Sequence, residues 1–166
     1  MIDLIRAAQP QDFDAIETIE NSADQLFVDR FGSIPWEAAP VGASRVSEPG
    51  FVLIAAEESG ALVGFVHVLD EDGFAHLEQL SVLPERGRRG YGRALVEAAK
   101  SEARHRGYKR MTLRTYADVP WNAPFYARAG FTEEEPATKF HERLVEVEHR
   151  LSLDRYGRRV QMGVTL

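Results

Sequence analysis

Hydrophobic positions recur along this chain with two periods, about 3.6 and 2, which separate helices from strands. Leu4-Ile5-Arg6-Ala7 reads as a short first strand, and Pro10 then suits the opening turn of a helix. Phe13, Ile16, Ile19, Ala23, Leu26 and Phe27 form that helix's apolar stripe. From Val28 to Gly50 the pattern dissolves, and the expectation is a loop containing one helical turn. Phe51 to Ala56 is a continuous apolar run, as in a strand covered on both faces. Ser59-Gly60 offers a hairpin turn into Leu62–Leu69, and Asp70 to Gly73 turns again into Phe74–Val82, completing a three-stranded antiparallel meander.

The last of these strands changes phase. Ala75 and Leu77 are odd-numbered, whereas Leu80 and Val82 are even. One extra residue near Glu78 and Gln79 would explain the slip as a β-bulge that bends the strand; the alternative is a strand apolar on both faces. A helix is expected from Tyr91 to Arg106, with Leu95, Ala98, Ala99 and Ala103 inward and Gly107 as its stop. Arg110 to Thr115 is the next strand, and the strand-helix-strand order implies a parallel pairing by right-handed crossover. Trp121 to Ala129 reads as a short helix, Phe131 begins a strand, and Phe140, Leu144, Val147 and Leu151 give a helix within Thr138 to Asp154. Val160, Met162, Val164 and Leu166 alternate strictly with Arg159, Gln161, Gly163 and Thr165, a final strand. The fold class is α/β, one domain over residues 1–166, with a mixed, mostly antiparallel sheet and helices on both faces. The final strand is expected at a sheet edge, where a homodimer could be built.

Composition narrows the function classes. With 44% hydrophobic and 28% charged residues and no apolar run near the roughly 20 residues of a membrane span, a soluble protein is expected. The first residues lack the pattern of a secretory signal, so cytoplasmic residence is the default expectation. A formal charge of −6 gives no global attraction to nucleic acid or anionic lipid and tolerates a cationic amine. The chain has no cysteine, so disulfides, a thiolate nucleophile and cysteine-ligated zinc are excluded.

The densest chemistry lies in Arg88-Arg89-Gly90-Tyr91-Gly92-Arg93, immediately before the central helix. Gly90 and Gly92 let backbone approach a ligand, and successive N–H groups at a helix N-terminus cradle an anion. The three arginines add positive charge, so a phosphorylated ligand is expected. A dinucleotide fingerprint would need a preceding parallel strand and a third glycine where Leu95 stands, and a P-loop would need Gly-Lys-Ser/Thr. Neither pattern is present.

Gly87-Arg88-Arg89-Gly90-Tyr91-Gly92 resembles the signature Gln/Arg-x-x-Gly-x-Gly/Ala of the GNAT superfamily of acetyl-CoA-dependent N-acetyltransferases, departing from it at Gly87. Arg86, Arg88 or Arg89 could supply the charge missing there. Asn122-Ala123-Pro124-Phe125-Tyr126-Ala127-Arg128-Ala129-Gly130-Phe131 resembles the family's Asn…Phe-Tyr-x-x-x-Gly-Phe segment, with a shorter Asn-to-Phe spacing. The resemblance implies acetyl-CoA as cosubstrate and no metal, with central strands splayed apart and pantetheine held against Leu80, Ser81 and Val82. It further implies that Tyr126 protonates the departing thiolate, and that Asn122 hydrogen-bonds the cosubstrate. As residues alone, Tyr126 would equally pack in a core and Asn122 would equally cap a helix.

An alkyl ammonium must lose a proton before it can attack, and Glu78 is the candidate base, directly or through water; a solvent-facing strand glutamate is the competing reading. The Val82 backbone N–H is the candidate oxyanion donor. The expected activity is acetyl transfer to a primary amine of a small molecule or a protein, the rival being a CoA-binding regulatory module without turnover. A hairpin pairing Leu69 with Phe74 would place His67 directly opposite His76 on one face. His105, His141 and His149 carry no motif. Trp36 and Glu37 fall in the irregular early segment, where a long loop can shape acceptor specificity.

Overall fold

A computed structural model describes residues 4–33 and 38–166; Trp36 and Glu37 lie outside the described residues. Seven strands form one sheet: β1 (Leu4–Ala7), β2 (Gly50–Ala56), β3 (Leu62–Glu71), β4 (Phe74–Val82), β5 (Arg110–Tyr116), β6 (Thr132–Glu134) and β7 (Arg159–Thr165). Their spatial order is β1-β2-β3-β4-β5-β7-β6, antiparallel throughout except where β4 meets β5. Five α-helices accompany them: α1 (Phe13–Phe31), α2 (Gly42–Ser47), α3 (Tyr91–His105), α4 (Ala123–Arg128) and α5 (Lys139–Arg150).

The period-2 pattern divides the sheet into two faces. Val66 and Val68 of β3, Leu77 of β4, Met111 and Leu113 of β5, and Val160 and Met162 of β7 bury against Leu95, Val96, Ala99 and Ala103 of α3. A fully buried leucine such as Leu95 contributes about 2 kcal/mol or more through removal from water. On the opposite face Ile54 and Phe65 meet Ile16 and Ile19 of α1, while α5 lays His141 and Glu148 over Thr112 and Arg114. α2 packs so tightly on α1 that a Cβ on Gly42 would overlap the Phe13 carbonyl. Gly107, at φ 94°, ends α3: its N–H donates to the Arg104 carbonyl (2.9 Å) and that of Tyr108 to the Ala103 carbonyl (3.0 Å).

Four expectations change. α1 runs through Val28 to Phe31, so the irregular segment is shorter than Val28 to Gly50 and contains α2. The β3–β4 turn is Asp72-Gly73, both with positive φ, and Glu71 pairs with Phe74. His67 therefore stands opposite Gln79 and His76 opposite Leu69, not opposite each other. The helix expected over Thr138 to Asp154 ends at Arg150 and is followed by a separate turn over Leu153–Tyr156. β7 lies between β5 and β6 rather than at the edge, because β6 folds back to pair with Gln161 to Gly163.

Candidate active site

Two local features open the sheet. Val68 pairs with Leu77 but His67 pairs with Gln79, so Glu78 is the inserted residue of a β-bulge, at the place where the apolar phase slips. Parallel pairing of β4 with β5 stops after Ala75–Met111 and His76–Thr112. Beyond that point Leu77 to Val82 and Leu113 to Tyr116 form opposite walls of a cleft of about 870 Å³, within the range of small-molecule sites. The Leu83 N–H donates to the Val63 carbonyl (2.8 Å). Strand alternation then points the N–H groups of Leu80 and Val82 away from β3, toward this gap.

The glycine turn forms one end of the cleft. Gly90 adopts φ 88° as the N-cap of α3 and no side chain caps the helix, leaving its first N–H groups available to an anion. A Cβ built on Gly92 would come to 3.4 Å from the Phe125 ring and 3.9 Å from Val82, so substituents there enter the space between cleft-lining residues. Arg88, itself at φ 62°, and Arg93 line the cleft; Arg89 is not among its lining residues. Arg86 pairs with Glu57 at 2.5 Å, whereas Arg88, which also faces the cleft, has no ion-pair partner among the described residues. These features fit a pyrophosphate. Among the described residues no cluster of three or more His, Asp or Glu could hold a metal ion, and no helix is long and apolar enough to cross a membrane.

Tyr126 is carried into the cleft by α4 and is only 7% exposed. Burial drives its phenol pKa well above the ordinary 10, so the hydroxyl stays protonated at neutral pH. Asn122, at the N-cap of α4, makes no side-chain cap bond; its Oδ1 instead accepts the Tyr116 N–H at 3.2 Å, tying α4 to β5 at the cleft wall. Glu78 lies on the floor, its side chain 38% exposed but hemmed in by protein. Desolvation raises its pKa, opposed by Arg45 and reinforced by Glu48, Glu20 and Glu71.

Sequence reasoning missed the wall facing Glu78. Arg45 of α2 donates to both carboxylate oxygens of Glu20 on α1 (3.0 and 2.6 Å), and its Nη1 lies 2.9 Å from His67 Nδ1. Burial, helped by Arg45, lowers the His67 pKa to about 4, so the ring is neutral and accepts that N–H. These residues share no motif; only the α1–α2 packing unites them. Phe27, Tyr116 and Trp121 add aromatic surface to the same cleft.

The sequence pattern of the Acetyltransferase (GNAT) family matches residues 13–131. The chain is 38% identical over 96 residues to the mycothiol acetyltransferase of Clavibacter michiganensis subsp. michiganensis, a match covering 54% of this chain and 30% of that protein. It is 32% identical over 105 residues to the aminoglycoside N(6')-acetyltransferase type 1 of Klebsiella aerogenes, covering 58% of this chain and 69% of that one. The fold superposes on the PaiA N-acetyltransferase of Thermoplasma acidophilum in complex with coenzyme A with a TM-score of 0.71 at 16% identity, over 98% of each chain. The match spans less than a third of the mycothiol acetyltransferase and about two thirds of the aminoglycoside enzyme. Motifs, strand splay and family pattern agree: this chain belongs to the GNAT family of acetyltransferases, whose cosubstrate is acetyl-CoA.

Proposed function

We propose that the chain transfers the acetyl group of acetyl-CoA directly to a primary amine, of a small molecule in the first instance. The observation that carries this reading is the juxtaposition in one cleft of Glu78, with a raised pKa, and Tyr126, with a protonated phenol. A carboxylate whose burial strengthens its hold on a proton, beside a phenol that stays protonated, supplies the proton acceptor and the proton donor that acid–base chemistry requires. Asp24 and Glu78 line the cleft, with Glu20 tied to Arg45, and Phe27 and Trp121 add apolar surface, a lining suited to an amine with an apolar body.

In this mechanism the α3 N-terminus with Arg88 holds the pyrophosphate, joined by Arg93 once its bonds to Glu97 and the Arg128 carbonyl are released, and Asn122 contributes a hydrogen bond to the cosubstrate. The Leu80–Val82 backbone holds the pantetheine arm. Glu78 accepts the acceptor's proton, directly or through one water. The nitrogen then forms a bond to the thioester carbonyl carbon while Val82 N–H stabilises the oxyanion. As the C–S bond breaks, Tyr126 gives its proton to the thiolate; the nitrogen, on becoming an amide, sheds its second proton to solvent, which reprotonates Tyr126, and Glu78 returns the first proton to solvent. Acetylation of an aminoglycoside, the named activity of the Klebsiella aerogenes relative, is one instance of such a transfer.

The experiment is CoA release from acetyl-CoA against a panel of amines, for the wild type and Tyr126→Phe. Turnover with at least one amine is expected. In the variant kcat should fall about tenfold or more, with KM for acetyl-CoA within about twofold. Tight acetyl-CoA binding without turnover on any amine would instead identify a regulatory module, and an unchanged kcat in Tyr126→Phe would remove Tyr126 from the mechanism.

A further inference from the structure

Beneath Glu78 lies a buried chain of polar side chains that the steps above do not use. His76 Nδ1 is 2.8 Å from Thr112 Oγ1 on β5, and the same oxygen is 3.0 Å from His141 Nε2 on α5. His141 Nδ1 is 2.8 Å from Oγ1 of Thr138, the α5 N-cap, which also accepts the His141 backbone N–H at 3.2 Å. At the other end His76 Nε2 stands 3.9 Å from Glu78 Oε2. That gap exceeds a hydrogen bond; a rotamer adjustment of the glutamate or one bridging water would close it.

A hydroxyl has one proton, so Thr112 donates to one imidazole and accepts from the other. Only two polarities of the chain are self-consistent. In one, Thr138 donates to His141 Nδ1, His141 Nε2–H to Thr112, and Thr112 to His76 Nδ1, leaving His76 Nε2–H aimed at Glu78. In the other every bond reverses and a nitrogen lone pair faces Glu78, which an ionised carboxylate disfavours. Both rings are held neutral, as either polarity requires: burial lowers the His76 pKa to about 3 and lowers that of His141. We infer that His76, Thr112, His141 and Thr138 form a polarised chain of positioning residues that fixes His76 as a hydrogen-bond donor to the Glu78 carboxylate and so sets the pH at which Glu78 can take the acceptor's proton.

This inference rests on Glu78 being the base. The charged groups around the chain are Arg45 on α2, Glu20 on α1, Glu48 after α2 and Glu71 on β3 toward Glu78, with Arg114 on β5, Glu148 on α5 and Glu134 on β6 toward the histidines. None is altered by changing Thr112, whose isosteric replacement by valine removes only the hydroxyl link. Without it His76 loses its fixed tautomer and Glu78 its donor; the Glu78 pKa rises, so the base is protonated to higher pH.

The test compares Thr112→Val, Thr112→Ser and Glu78→Gln with the wild type. Thr112→Val should move the acid limb of kcat/KM up by about one pH unit, about tenfold slower below the limb, with KM for acetyl-CoA unchanged. Thr112→Ser should restore the wild-type profile. By 15N NMR, independent of any acceptor, wild-type His76 should be the neutral Nε2–H tautomer, and its tautomer ratio should shift in Thr112→Val. An unmoved limb in folded Thr112→Val with inactive Glu78→Gln overturns the chain alone, whereas an active Glu78→Gln removes both the base and the chain. If Thr112→Val does not fold, the wild-type tautomer decides, and an Nδ1–H His76 overturns the inference.

Discussion

Glu78→Gln is expected to lower kcat/KM by about a thousandfold at neutral pH, the middle of the range for losing a positioned general base. The amide keeps the size and polarity of the side chain at the β4 bulge, so acetyl-CoA affinity and fold should persist. The diagnostic is the pH dependence of the residual rate. An alkyl ammonium has a pKa of about 10.4, so each pH unit toward that value supplies about tenfold more free amine to an enzyme lacking its base. Residual kcat/KM should therefore climb with unit slope on alkaline titration, while the wild type reaches its plateau once Glu78 is ionised, above the ordinary carboxylate range because burial raises its pKa. A variant retaining wild-type activity at pH 7 would assign the proton transfer elsewhere.

The second large effect is on stability. His67 and His76 are buried on the same face of the sheet, with pKa values lowered from 6.5 to about 4 and about 3. For a histidine depressed in the folded state, the unfolded chain binds protons that the native protein refuses, so stability present above pH 6.5 is lost as pH falls toward the folded value. Between pH 7.5 and pH 5 each group costs about 2 kcal/mol on this reckoning. Glu78 and Glu71, whose pKa values are raised, act with the opposite sign and offset part of it. A net loss on the order of a few kcal/mol is a large fraction of a domain's usual 5–15 kcal/mol. Urea unfolding at the two pH values measures it directly, and equal free energies of unfolding would mean that one or both imidazoles are charged in the native protein. Glu148 and Asp12, whose pKa values are lowered by Arg114 and Arg159 and by Arg6, add further loss only at still lower pH.

Legibility of this fold in the sequence follows the range of the interactions. The meander, the crossover helix and the bulge were readable because each is written in neighbouring residues; the phase slip between Leu77 and Leu80 falls on the residue that β3 leaves unpaired. At the β3–β4 turn Asp70 and Glu71 look like loop residues, yet they continue the strand as far as a two-residue Asp72-Gly73 turn. The position of β7 was not legible, since strand order depends on where the chain after α4 returns. At the site, the glycine turn, Tyr126 and Glu78 carry local signals and converge on one cleft. Arg45, Glu20 and His141 do not: they reach their partners only through the packing of α1, α2 and α5, and nothing in their own neighbourhoods marks them.

The departure at Gly87 becomes less consequential in three dimensions. The turn's N–H groups come from the backbone, and Arg88 stands at the cleft where charge is required. The proposed transfer requires above all that acetyl-CoA occupy the gap between β4 and β5 with its pyrophosphate on this turn. Calorimetric titration of acetyl-CoA into the wild type and into Gly92→Val, with folding of the variant checked by circular dichroism, tests that most directly. One-to-one binding by the wild type, weakened about tenfold or more (~1.4 kcal/mol) by the valine, is the predicted result. No binding by the wild type, or undiminished affinity in a folded Gly92→Val, would contradict it.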